Sequence, residues 1–517
     1  MKKDNFVVLL ALLTSVSLFI LSQPSLFFED GLSFCVWFAY IPIFLLLQKS
    51  SMVKAAIYGA FYGSLSYFLL CHYLSAFGFL AISFVCALFA LYHALLFFIL
   101  SWSNKVFPQS ISRYFWIFRA FLFLCFEFLR SRGIFGFSYG IAGYSQWKNP
   151  LFLKFSSLFG VMGVSLLIFL FNSLAAKIIS EKNIRSNLKE ISVCLSLFAG
   201  IALFYCLGFA PRKDNAIPLK FALIQGASCA PSRSIEEYLD DAETLKTLTK
   251  NALLTQNDTQ LVVWPETAIV PDVLYHLEKG SDFKRKMLSE NVYSFIKETE
   301  TSFLIGNNHR DESGVHNSAL FFSKEFDSVL VYNKNHLVPF TEFWPSFLNF
   351  NFFESVKESL NCELFVPGNE IRTFKFGELA FAVPICFEDS FAPLVRQMKM
   401  SGADFFVNIS DDAWAKSAAA QKMHLSMSAF RCAEFNSPML RSTVDGKTCV
   451  IDSHGNVKSE IERGIDSYLC DELMVEKNSA SLYLMIGDVP LEILTVLLAA
   501  FLLILSIRFV KVNVYGR

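Results

Sequence analysis

The sequence predicts a membrane α-helical bundle of eight transmembrane helices joined to an extracytoplasmic, layered α/β domain. Three observations predict it. Of the 517 residues, 54% are hydrophobic and only 18% charged, with a mean hydropathy of +0.43, whereas soluble chains carry about 25% charged residues. Apolar runs able to cross about 30 Å of hydrocarbon recur through the first two fifths of the chain and return once near its end. Between them, short β-rich runs alternate with helical patterns. The net charge of −1 and the lack of any Lys/Arg block leave no surface for tracking phosphates, which excludes a nucleic-acid partner.

The apolar runs lie near 6–22, 31–47, 53–71, 77–101, 114–130, 152–175 and 191–210, with the last at about 489–510. The first follows Lys2 and Lys3 as a secretory signal would, but it is long for one and no small-x-small cleavage pattern ends it. It reads as a retained helix. Basic residues mark alternate connections: Lys2 and Lys3, Lys49 and Lys54, Lys105 and Arg113, then Lys177, Lys182, Arg185 and Lys189, with Arg508, Lys511 and Arg517 at the end. The positive-inside rule makes these cytoplasmic and puts residues 211–486 outside. Arg130, Arg132 and Lys148 run against that trend and are candidates for holding a lipid phosphate, weighed against ordinary snorkelling. Glu127 falls within a span, where a carboxylate is expected to be paired inside the bundle.

From about residue 219 the texture changes. Strand-like runs appear at 219–225, 260–264, 302–306, 318–322, 328–333, 379–385 and 404–409, with helical patterns near 234–255, 282–299, 390–401 and 416–436. Asp445-Gly446 between two apolar runs reads as a hairpin turn. Of twelve cysteines, six fall in the spans and six in the domain (Cys229, Cys362, Cys386, Cys432, Cys449, Cys470). Without a CxxC pair or clustered histidines, no metal site is expected, and disulfides are permitted outside the cytoplasm without being implied. No GxGxxG or GxxxxGK[ST] stretch supports nucleotide binding.

Three segments place reactive residues just after strand-like runs, where α/β proteins tend to build sites. They are Val262-Val263-Trp264-Pro265-Glu266-Thr267, Tyr332-Asn333-Lys334-Asn335-His336-Leu337-Val338-Pro339-Phe340 with Glu342 close behind, and Val383-Pro384-Ile385-Cys386-Phe387-Glu388-Asp389. Singly, each is ordinary. A lone Cys after a strand is most often a buried small hydrophobe, Glu266 could open a helix, and Lys334 could be a surface charge. Together they form a minimal acyl-transfer set: a carboxylate to take the thiol proton, a thiolate to attack a carbonyl, and an ammonium for the oxyanion.

These three segments resemble the catalytic signatures of nitrilase-type enzymes, the carbon–nitrogen hydrolases, whose domain is an αββα sandwich with a Glu-Lys-Cys set. With seven spans before the domain and one after, the chain resembles the apolipoprotein N-acyltransferase family. Leu223-Ile224-Gln225-Gly226, Ile305-Gly306-Asn307, Asn408-Ile409-Ser410, Asp412-Ala413-Trp414 and Arg431, Glu434, Arg441 and Thr443 extend the likeness. It implies a transmembrane bundle at 1–212, a nitrilase-like catalytic domain at 219–475, and a last helix with a cytoplasmic tail at 487–517. It implies Glu266 as general base, Lys334 as oxyanion stabiliser and Cys386 as nucleophile, with Glu342, Glu388, Phe387, Trp414 and Trp344 in support or in substrate contact. The implied enzyme is a monomer in the bacterial inner membrane with its catalytic domain facing the periplasm, and it needs no cofactor. Its acyl donor is a phospholipid, typically phosphatidylethanolamine, and its acceptor the N-terminal amine of a diacylglyceryl-cysteine apolipoprotein. Phe387 stands where the family usually has Tyr, Thr341 and Phe343 where it has Gly and Tyr, and Asp411 where it has Asn; the stretch 227–234 lacks a usual Trp.

Residues 343–353 place six aromatics in eleven positions without helical or strand periodicity. They read either as a packed loop or as an apolar arm admitting acyl chains, since aromatic rings suit the membrane interface. Two rival functions remain at this stage. A membrane-anchored nitrilase-type amidase would let water resolve the thioester and hydrolyse a C–N bond, though eight spans are more anchorage than a small amide requires. A transporter or scaffold with an inert enzyme-like domain would not need an intact Glu-Lys-Cys set.

Overall fold

The computed structural model describes residues 2–207, 216–226, 234–325, 328–346 and 365–515. The chain divides into two units: Met1–Gly208 with Ser417–Met423 and Ile486–Arg517, and Phe209–Lys416 with His424–Met485.

In the first unit every apolar run of the sequence is helical: Lys2–Ser22, Met52–Leu70, Phe79–Val106, Phe115–Arg130, Pro150–Glu181, Leu188–Cys206 and Val489–Tyr515, with 31–47 forming shorter pieces. Five of these helices are long and apolar enough to cross a membrane. The run at 31–47 breaks at Tyr40, between Val36–Ala39 and Ile41–Gln48. Pro42 has no N–H to continue the ladder, and the Tyr40 N–H is taken by Asn172 Oδ1 at 2.9 Å. The Phe115–Arg130 helix is short and carries buried Arg119 and Glu127, so it depends on its neighbours. Gly59 and Gly63, one turn apart, let Met52–Leu70 lie against Phe79–Val106: an added Cβ would collide with the carbonyl oxygens of His93 and Phe89. The three basic residues that defied the charge trend all have protein partners. Arg130 donates to the Phe137 and Tyr139 carbonyls, Arg132 pairs with Asp488, and Lys148 pairs with Asp30 at 2.5 Å.

The second unit holds two six-stranded sheets. Strands are β1 (Ala216–Gln225), β2 (Leu261–Val263), β3 (Ser302–Asp311), β4 (Gly314–Phe322), β5 (Val329–Asn333), β6 (Thr373–Phe376), β7 (Leu379–Ala382), β8 (Phe405–Asp411), β9 (Met439–Val444), β10 (Cys449–Ile451), β11 (Val457–Glu460) and β12 (Ser467–Glu476). The orders are β12-β1-β2-β3-β4-β5 and β11-β10-β9-β8-β7-β6. Each has a parallel centre, β1-β2-β3 and β7-β8-β9, flanked by antiparallel strands. The period-2 side-chain alternation of a strand gives each sheet two faces. Ala222, Ile224, Val262, Phe303 and Ile305 pack beneath the helices Ile235–Thr255 and Phe283–Glu298 through Leu245, Leu288 and Val292. Facing the other way, Phe321 meets Phe374 and Phe381 of the second sheet, and Ser442 Oγ donates to the Ile224 carbonyl at 2.7 Å.

Local chemistry sets the boundaries. Ser234 and Glu237 form a reciprocal capping box at the head of Ile235–Thr255, and Asp282 caps Phe283–Glu298. The Asp445-Gly446 turn joins β9 to β10 as an antiparallel hairpin, with Asp445 at φ 46°.

Candidate active site

Each of the three motifs sits at the C-terminal end of a strand, and each is fixed by what lies next to it. Glu266 leaves β2 behind the fully buried Trp264, whose indole N–H donates to Thr249 Oγ1 at 2.9 Å. Its loop lies directly on β3. A Cβ at Gly306 would collide with the Pro265 carbonyl oxygen, so only glycine admits this approach. Lys334 follows β5, its N–H bonded to the Asn317 carbonyl at 2.9 Å. Cys386 follows β7 and opens a short 3₁₀ turn, Cys386–Ser390, at φ 49°. A left-handed non-glycine residue costs about 1–3 kcal/mol and persists only where its surroundings over-determine it.

Glu266, Lys334, Glu342 and Asn317 form one buried cluster. Lys334 Nζ donates to Glu266 Oε1 at 3.1 Å and to Glu342 Oε1 at 2.8 Å, and Asn317 Nδ2 bridges the same two oxygens at 2.7 and 3.0 Å. The remaining oxygens are also held: the Asp411 N–H binds Glu266 Oε2 and the Val338 N–H binds Glu342 Oε2, both at 2.7 Å. Burial works against the Lys334 ammonium, but Glu266 and Glu342 outweigh it and hold its pKa well above the lysine range. Cys386 belongs to the same electrostatic group. Burial first and then the Glu266 charge push its thiol pKa up, with Lys334 opposing. The resting cysteine is therefore a thiol, 8% exposed.

Glu388 is a staple between two of the motifs. Its carboxylate accepts from the N–H groups of Asn335 (2.7 Å), His336 (3.0 Å) and Ile385 (2.8 Å) and from the Tyr332 hydroxyl (3.0 Å). It thus fastens the lysine loop to the turn that carries Cys386. Complete burial raises its pKa to about 7 despite these donors. Phe387 packs against Phe391 at 5.1 Å, Trp344 is buried edge-on to Phe340 at 5.4 Å, and Trp414 is half-buried in the turn after β8. Residues 347–353 of the aromatic stretch, and 227–233, lie outside the described residues.

A second buried cluster supports the nucleophile from below, and the sequence reading missed it. His424 Nε2 lies 3.2 Å from the Cys386 carbonyl oxygen and 2.9 Å from Asp389 Oδ1, while its Nδ1 is 3.0 Å from Asp412 Oδ1. Arg441 reaches Asp389 at 3.2 Å and Asp412 at 2.8 Å, and Ser428 Oγ donates to Asp389 at 2.5 Å. Burial disfavours the imidazolium, but Asp389 and then Asp412 outweigh burial and Arg441, raising the His424 pKa to about 9. Asn408 Nδ2 adds a bond to the Pro384 carbonyl at 2.8 Å. Asp389 and Asp412 stood inside quoted motifs, but His424 lies in the helix Ala418–Phe435 with no local signature. Asn317, in the middle of β4, had none either.

The domain that carries these groups matches the carbon–nitrogen hydrolase family over residues 220–474, and residues 15–174 match the apolipoprotein N-acyltransferase N-terminal domain. Apolipoprotein N-acyltransferase 1 of Treponema denticola is 33% identical over 98% of this chain and 96% of its own length. The chain belongs to the apolipoprotein N-acyltransferase family. The apolipoprotein N-acyltransferase 1 of Treponema pallidum is 31% identical over 87% of this chain and 86% of its own. That of Borreliella burgdorferi is 25% identical over 95% and 93%. These likenesses run across both units, so membership of the family does not rest on the hydrolase-like domain alone.

Proposed function

We propose that this chain moves an acyl group from a membrane phospholipid, through a thioester on Cys386, to the N-terminal amine of a diacylglyceryl-cysteine apolipoprotein. One observation carries the reading: Glu266, Lys334 and Cys386 share one buried electrostatic cluster in a chain whose relatives along nearly its whole length are named apolipoprotein N-acyltransferase. In the first half-reaction Glu266 accepts the Cys386 thiol proton as sulfur bonds to the ester carbonyl carbon of the lipid. The developing oxyanion faces Lys334, and its collapse breaks the C–O bond. The lysophospholipid alkoxide takes the proton from Glu266 and leaves. In the second, the substrate amine attacks the thioester and yields its proton to Glu266, and the departing Cys386 sulfur recovers that proton. No step calls for a metal or an organic cofactor.

Glu342 and Asn317 serve as positioning groups for Lys334, and Glu388 aligns the turn of Cys386. Trp344, Phe387 and Trp414 are assigned to contact with substrate. The donor is phosphatidylethanolamine, and the chain works as a monomer of eight spans in a bacterial inner membrane, with residues 219–475 on the periplasmic side between a bundle at 1–212 and a last helix at 487–517. Intact-mass spectrometry after incubation with phosphatidylethanolamine vesicles tests the chemistry. One acyl mass added at Cys386, transferred to a diacylated peptide's amine when that is supplied, is the expected result. No adduct on Cys386, or release of the acyl group as free fatty acid at the same rate with and without peptide, refutes the transferase reading.

A further inference from the structure

Strand β4 sends its side chains alternately to two faces. Asn317 turns to Glu266 and Glu342, while its neighbour His316 turns the other way and is equally buried. The two ring nitrogens of His316 have separate neighbours. Nδ1 lies 2.7 Å from the Val366 carbonyl oxygen, which can only accept, so Nδ1 is the donor. Nε2 lies 3.0 Å from Ser313 Oγ and 3.1 Å from Asp311 Oδ1, at the turn between β3 and β4. Val366 belongs to a short strap, 365–368, which runs beside the start of β4 and the end of β5. The strap spends its main-chain N–H groups on the frame of the site: Phe365 on the Glu342 carbonyl at 2.9 Å, Val366 on the Val315 carbonyl at 2.8 Å and Gly368 on the Lys334 carbonyl at 2.8 Å. The Lys334 peptide is thus gripped at both ends, because its own N–H is held by the Asn317 carbonyl.

The strap is stiff. Pro367 has a fixed φ and no N–H, and it holds Val366 extended, so a shift at Val366 carries over to Gly368. Gly368 leaves no slack either, since an added Cβ would collide with the Asn333 carbonyl oxygen. We propose that His316 is a positioning residue for acyl transfer: its Nδ1–H seats the strap through the Val366 carbonyl, and the strap keeps Lys334 and Glu342 in register with Glu266. This role rests on the acyl-transfer reading, because His316 acts only through Lys334 and Glu342. Without the Nδ1 donor the Val366 carbonyl loses its side-chain partner and the strap loosens. The main chain of Lys334 and Glu342 then drifts, and the ammonium no longer meets the oxyanion squarely. Binding of the lipid is untouched by that drift, so the cost falls on the chemical step.

The test uses the full-length chain in nanodiscs of graded phosphatidylethanolamine content, in a background of ether-linked lipid that has no ester to give. Single-turnover acylation of Cys386 and amide hydrogen exchange over residues 365–372 are measured together. His316→Ala should speed exchange of the strap and slow acylation by about 10²-fold, the cost of a misplacement near 1 Å. The lipid content that gives half the maximal rate should stay where it is. His316→Asn puts an amide N–H where Nδ1 stood and should restore both readouts. His316→Gln carries its amide further out, to the place of Nε2, and should restore neither. That contrast decides the matter even where the alanine variant fails to fold. Rescue by glutamine equal to that by asparagine overturns the proposal, as does slowed acylation with unchanged exchange, or faster exchange with acylation intact. If the parent protein takes no acyl group at all, the acyl-transfer reading fails instead, and exchange in the asparagine and glutamine variants still decides whether His316 seats the strap.

Discussion

Replacing His424 with Gln should make the stability of the catalytic domain less dependent on pH, because His424 is a buried imidazolium held by two aspartates. Its pKa rises from 6.5 to about 9 in the folded protein. A shift of that size corresponds to ~3 kcal/mol. With the folded pKa above the unfolded one, this contribution is fully present below about pH 6.5 and is lost as pH climbs through about 9. The substituted glutamine would still offer one donor to Asp389 or the Cys386 carbonyl, but it carries no titrating proton. Across a domain spanning residues 220–474, ~3 kcal/mol moves Tm by about 6 °C, given an unfolding entropy near 2.1 cal/mol/K per residue. The full-length protein in detergent is followed by tryptophan fluorescence on heating, at about pH 6 and about pH 10. The wild type should lead His424→Gln by about 6 °C more at the lower pH. A gap that is equal at both pH values, or wider at the higher one, would show that His424 is neutral in the fold. The Asp389–His424–Asp412 arrangement would then need another proton inventory.

Three further outcomes follow from the site. Lys334→Met should slow acyl-enzyme formation in single-turnover experiments by about 10²–10³, the usual cost of one lost oxyanion donor. Lys334→Arg should not restore it, because a planar fork cannot replace a point ammonium between Glu266 and Glu342. Glu388→Ala leaves four donors facing nothing, at about 1–3 kcal/mol for each orphaned group. Tyr332→Phe removes just one of them, so thermal unfolding should rank the alanine variant far below the phenylalanine variant. Gly306→Ala would drive a methyl into the Pro265 carbonyl and displace Glu266. Acylation should fall about a hundredfold, as misplacements near 1 Å do, while circular dichroism stays close to wild type.

Much of this architecture was legible in the chain because the relevant signals are local. All eight apolar runs are helical, and the β-rich runs that end at Glu266, Lys334 and Cys386 became β2, β5 and β7. The misreadings have a shared cause in partners distant along the sequence. The helix expected over 31–47 breaks where Asn172, 132 residues away, captures the Tyr40 N–H. β12 was not foreseen, because its run carries Asp471 and Glu472 and it is a strand by virtue of pairing with β1 along ten residues. Asn317 and His424 were invisible for the same reason. Neither residue type is informative in its own stretch, and each matters only because folding sets it against two carboxylates.

The charge inventory of the site also constrains how the chemistry must run. Within the catalytic cluster Lys334 contacts the two carboxylates Glu266 and Glu342, so that trio already carries one excess negative charge while Cys386 stays protonated. A free thiolate would add a second negative charge in a buried space, which low-dielectric surroundings penalise heavily. The raised thiol pKa expresses that penalty. Under the proposed mechanism the sulfur proton therefore leaves only as the carbon–sulfur bond forms, when the charge passes to the carbonyl oxygen facing Lys334. Proton transfer to Glu266 and carbonyl attack become one event. A cysteine arranged in this way reacts slowly with alkylating reagents that offer no oxyanion, and quickly with an ester that does. Comparing iodoacetamide with a short-chain activated ester exposes the difference. Glu342→Gln, which removes the excess negative charge, should speed alkylation and slow acylation, whereas a preformed thiolate would be made faster or slower in both.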